Sequence, residues 1–204
     1  MSIPSLLESA SLSSTTRERL ETFAGNARQL IDELVSAGAL RDTLTVIARV
    51  LPQQFALAWA CECIRNLLVR DAPAYEVDRA GLALAERWLQ DPSEDNRRTA
   101  LDFAEYGNFN GVGAWIAAAA GWTGGSIAPL GYTPVPPGKH LAADAVATAL
   151  VYLASQRPEE LAEREAFCVT VARDRFGSLT HSEAAPPAQA AQQKRAGKLG
   201  APPS

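Results

Sequence analysis

Apolar residues recur along most of this chain with the 3.6-residue period of a helix, and no stretch shows the alternation of a strand. Leu20, Phe23, Ala27, Leu30, Ile31 and Leu34 fall on one stripe. They predict a helix capped by Ser14 or Thr15 and ending near Gly38. A second helix is predicted over 40–51 from Leu40, Leu44, Ile47, Ala48 and Leu51. Pro52 lacks an N–H and fixes φ, so it suits the first turn of a third helix, 52–70. That helix is apolar nearly all round, with Phe55, Trp59, Cys61, Cys63 and Ile64, and is expected to be the centre of the core.

Asp71-Ala72-Pro73 reads as a turn. A fourth helix, 74–90, carries Val77, Ala80, Leu84 and Trp88 inward. In Asp91-Pro92-Ser93-Glu94 the pattern fits a capping box, with Asp91 as cap, Pro92 at the first helical position and Glu94 reaching back. The fifth helix that follows places Ala100, Leu101 and Ala104 inward and Arg97, Arg98 and Asp102 outward. On the sixth helix Gly113, Ala117 and Gly121 stand four apart, a spacing that lets another helix approach closely. A seventh helix, 140–156, and an eighth, 158–176, complete the pattern.

Two segments lack that period. Residues 1–13 contain Pro4 and several serines and read as a flexible arm, with Leu6 and Leu7 able to dock. Residues 178–204 hold almost no large apolar side chain and are expected to be a disordered tail. The reading is therefore a single all-α domain over 14–177, a multi-helix bundle with a long Gly/Pro-rich loop. The loop, 123–139, contains four glycines and four prolines, and a loop of that length is functional or packed tightly on the body.

Composition narrows the function classes. The chain of 204 residues has a net charge of −4, which gives no electrostatic footprint for nucleic acid or anionic membrane. Three cysteines without framework spacing argue against a disulfide scaffold and for a reducing cytoplasm. The N-terminal residues lack the basic and apolar regions of a secretory signal. The longest apolar run, 112–122, is too short to span a bilayer.

The residue types of several chemistries occur, each short of the pattern it needs. Gly138-Lys139 lacks the upstream glycine of a phosphate loop, since Thr133 stands there, and His140 replaces the required Ser/Thr. Cys61 and Cys63 stand two apart on a helix and diverge, so they cannot share a metal. Ser126, His140 and Asp144 contain the residue types of a hydrolytic triad, but Ser126 lacks the strand-turn-helix setting that exposes a nucleophile. Glu62, the lone charge of the central helix, has Arg65 and Asn66 within local reach. No catalytic residue, metal or cofactor is expected. Trp122, Ser126, Tyr132, Lys139 and His140 are the candidate partner-binding residues, because loops on a rigid scaffold carry function and aromatic residues anchor interfaces.

The segments LPQQFALAWACECIR, DPSEDNRRTAL and AWIAAAAGWTGGSIAP, followed by VPP, resemble a bacterial family known only as a domain of unknown function. The resemblance covers about residues 51–176. It implies an accessory role near type VI secretion genes, as an adaptor or chaperone for an effector or spike protein. It implies no catalytic residues. An immunity protein blocking a toxin is the second expectation, and a small hydrolase using Ser126, His140 and Asp144 the third.

Overall fold

A computed structural model of the chain describes residues 3–70 and 76–176, with the side chains of residues 69 and 70 left aside. The expected turn at 71–73 and the tail at 178–204 lie outside the described residues. Within them the fold is all-α. The elements run α1 (Ile3–Leu7), α2 (Ser14–Glu21), α3 (Ala27–Ser36), α4 (Leu40–Val50), α5 (Gln53–Arg70), α6 (Glu76–Gln90), α7 (Glu94–Tyr106), α8 (Val112–Gly121), α9 (Leu141–Ser155) and α10 (Leu161–Phe176). A 3-10 turn at Pro158–Glu160 leads into α10, and no strand occurs among the described residues.

The stripe from Leu20 to Leu34 belongs to two helices rather than one. Asn26 interrupts it with a capping box, its side chain accepting from the Gln29 N–H while Gln29 caps the Asn26 N–H. Ser13, not Ser14 or Thr15, caps α2. Ser93, not Asp91, caps α7: its hydroxyl accepts from the Asn96 N–H. Asp91 instead accepts from the Asn96 side-chain amide, and Glu94 turns to Arg97 and Arg98. The segment expected as an arm carries α1, and Leu7, Ala10 and Leu12 are buried.

Two apolar clusters result among the described residues. The smaller joins Leu7, Leu20, Leu30, Leu34 and Val46. The larger is built on α5, α8 and α9. Trp59 and Ile64 are fully buried in it, and the Trp59 indole N–H donates to the Cys168 carbonyl at 2.8 Å, tying α5 to α10. Phe55 lies at its edge, its ring meeting Phe176 edge-on at 5.8 Å. The most enclosed helix is α8, with nine of its ten residues buried.

Small residues make that enclosure possible. A Cβ at Gly81 would stand 2.1 Å from the Gly113 carbonyl oxygen, and one at Gly121 would stand 2.7 Å from Leu101 Cβ. The expected close approach along the Gly113/Ala117/Gly121 row thus occurs, against two helices: α6 meets Gly113 and α7 meets Gly121. Gly111, the α8 cap position, has no side chain to satisfy the first N–H groups. The buried Asp78 of α6 does so instead, accepting from the Gly113 N–H at 2.7 Å, where a negative charge also suits the helix dipole.

Candidate functional site

The long loop leaves the end of α8 and returns to α9. Its entry is packed on an aromatic trio. Trp122 stacks on Phe109 with ring centroids 5.5 Å apart, and Trp115 meets both rings at 5.7 and 6.4 Å. Phe109 reaches this position with a left-handed backbone, φ 54°, next to Asn108 at φ 49°. A bulky residue adopts that conformation only when its surroundings impose it. Trp115 and Trp122 are accordingly half-buried packing residues beneath the loop.

Two arginines of α7 fix the loop's course. Arg97, expected to face outward, is buried. It donates to the carbonyl oxygens of Gly121 and Ser126 and forms a forked pair with Glu94 at 2.7 and 2.8 Å. Arg98 donates to Glu94 and to the Ala128 carbonyl at 3.1 Å. Hydrogen bonds from Arg97 in the first place, with its charge and that of Arg98, hold the Glu94 carboxyl below its ordinary pKa. Backbone carbonyls in a loop without secondary structure need donors, and a guanidinium supplies several in a fixed fork. Arg97 is four and seven residues before Leu101 and Ala104, so helical spacing already placed it on the inward stripe.

Ser126 closes the loop on itself. Its hydroxyl oxygen accepts from the N–H groups of Val135 at 2.9 Å and Ala128 at 3.1 Å, while the Ile127 N–H donates to the Val135 carbonyl at 2.8 Å. Between these ties the chain projects outward. Leu130 is 79% exposed, Tyr132 73% and Val135 47%. Three large apolar side chains on one anchored loop are thus left to solvent.

The other candidates scatter. His140 is half-buried at the start of α9 without capping it. Burial, reinforced by the charges of Arg49 and Lys139, holds its imidazole below its ordinary pKa. Asp144 is held by the buried Arg49 at 2.6 Å, and Arg49 also donates to the Leu6 carbonyl and the Ser9 hydroxyl. The structure therefore does not link Ser126, His140 and Asp144 into a relay: the serine oxygen serves the loop backbone and the aspartate serves an arginine. Glu62 pairs with Arg175 of α10 rather than with Arg65, which binds Glu86. Cys61 and Cys63 are buried, and burial pushes both thiols up, away from the reactive thiolate.

Among the described residues no group of His, Cys, Asp and Glu side chains is placed to hold a metal ion, and no helix is long and apolar enough to cross a membrane. No curated protein and no solved structure matches the chain. Residues 30–176 do match one family model, that of a family of unknown function, DUF6931, and this span holds the larger core, both loop-pinning arginines and the whole loop. The chain belongs to the DUF6931 family.

Proposed function

We propose that this protein is a non-enzymatic accessory protein that meets a protein partner through the 122–140 loop. The observation that carries the reading is the exposure of Leu130, Tyr132 and Val135 on a loop whose base is held by Arg97, Arg98 and Ser126. A loop already ordered before contact loses little conformational entropy on binding, so its apolar area counts toward affinity. Tyr132 fits the role of an anchor that fills a partner's pocket. Ser126 and His140 act from beneath, the first as a staple and the second at the loop's return.

The more specific assignment is an adaptor or chaperone that binds an effector or spike protein of a type VI secretion system. Its support is the sequence resemblance, which brings that setting with it. Co-purification of the full chain from its native host, followed by mass spectrometry, tests the reading. A protein recovered with wild type and lost with Tyr132→Ala supports a loop-borne interaction, and a secretion effector or spike protein in that position supports the specific one. Recovery that is identical for both chains contradicts it.

A further inference from the structure

We infer that the partner reads residues 133–137, Thr-Pro-Val-Pro-Pro, as a polyproline II ligand, through a groove lined by aromatic rings. The inference rests on the protein-binding reading above and names the chemistry of the partner's side. Each of the five residues is constrained toward that conformation. Pro134, Pro136 and Pro137 have φ fixed at about −65° by their rings. Thr133, Val135 and Pro136 each precede a proline, which disfavours the helical region and pushes them to extended backbone. In the structure the segment carries no helix, turn or bend from 133 to 138.

Its presentation is the second observation. The backbone of Val135 is tied on both sides, its N–H to Ser126 Oγ and its carbonyl to the Ile127 N–H. A polyproline II helix has three residues per turn, so Val135 and Gly138 share one ridge. Thr133 and Pro136 form a second ridge and Pro134 and Pro137 a third. Thr133, Pro134 and Pro136 are exposed and Pro137 is half-buried, which leaves the second ridge open and the third open at its Pro134 end. Proline rings on such ridges dock between aromatic side chains in known proline-reading modules, and their preset φ limits the entropy lost. Leu130 and Tyr132 lie just before the segment and are exposed, so a groove on the prolines would also reach an apolar anchor.

A panel of isolated SH3 and WW domains, which read proline-rich segments by this chemistry, serves as the probe. Each is titrated against the full chain, against Pro134→Ala/Pro137→Ala, and against Ser126→Ala, with circular dichroism confirming the helical fold of every variant. At least one module should bind wild type saturably, and the double proline variant should lose about tenfold or more in affinity. Ser126→Ala keeps every proline but frees the Val135 N–H, and should weaken binding by about threefold to tenfold through lost pre-ordering. If no module binds wild type more tightly than the double proline variant, the inference is overturned. The native-host experiment separates the two claims. A partner that depends on Tyr132 but is captured equally by the double proline variant leaves the accessory role standing and removes this one.

Discussion

Arg97 and Ser126 are 29 residues apart in sequence, and the buried guanidinium of the first donates to the carbonyl oxygen of the second at 2.8 Å. Through this bond an α7 side chain decides where an otherwise irregular loop runs. Replacing Arg97 with Met keeps the side-chain stem and removes every donor. The Gly121 and Ser126 carbonyls would then be left without their partner, at a cost of about 1–3 kcal/mol for each that stays buried. A lowered unfolding midpoint with faster proteolysis within 123–139 is expected. Unchanged cleavage of the loop would show that Arg97 does not hold it.

Trp59 carries a separable bond and volume. Trp59→Ala should cost about 3–5 kcal/mol, the range for deleting a large core side chain. Trp59→Phe keeps a ring but removes the indole bond to the Cys168 carbonyl, and should cost less. Denaturant unfolding of both variants checks the order, and a Trp59→Phe loss equal to that of Trp59→Ala would place the whole cost on the 2.8 Å bond and none on the lost volume.

Gly81→Ala and Gly124→Ala form a matched pair. A Cβ at Gly81 would meet backbone, the Gly113 carbonyl oxygen at 2.1 Å, whereas one at Gly124 meets nothing within 4 Å. Backbone cannot rotate away as a side-chain tip can, so Gly81→Ala must separate α6 from α8. Overpacking of this kind costs about 1–3 kcal/mol or more. The Gly124 variant should melt like wild type.

These contrasts show what was legible in the chain. The periods of Leu40 to Leu51 and of the α9 residues placed helices correctly because packing on one face dictates the spacing. The caps differ from the expected ones by one or two residues, since Ser13, Ser14, Asp91 and Ser93 all carry an acceptor and spacing alone does not choose among them. The break at Asn26 was hidden by apolar residues that happen to keep register across it. In the candidate site, the loop was visible from its glycines and prolines. Arg97 escapes a reading that sends charges to solvent, despite its place on the inward stripe, and no local pattern shows that its carbonyl partners lie at the end of α8 and in the loop.

Glu165 gives a pH-dependent prediction. It is buried on α10, and burial raises its carboxyl pKa above the ordinary 4.5, with the Arg41 charge opposing only in part. A raised folded-state pKa means that the fold favours the protonated form. Its contribution is present below the unfolded value and is lost as pH rises through the folded value. Glu165→Gln, which stays neutral, should therefore melt higher than wild type at pH 7, with the difference vanishing below about pH 4. A difference that grows on acidification would reverse the assignment.

The central claim is that the 122–140 loop is an ordered binding surface with Tyr132 as its anchor. The measurement that tests it most directly is the affinity of the co-purified partner for wild type and Tyr132→Ala, taken beside the thermal unfolding of both chains. Tyr132 is 73% exposed, so its removal should change stability by no more than about 0.5 kcal/mol. As an interface anchor its loss should cost about 2 kcal/mol of binding, or roughly thirtyfold in affinity. Affinity within twofold of wild type, or a loss of binding matched by a loss of thermal stability, would contradict the account.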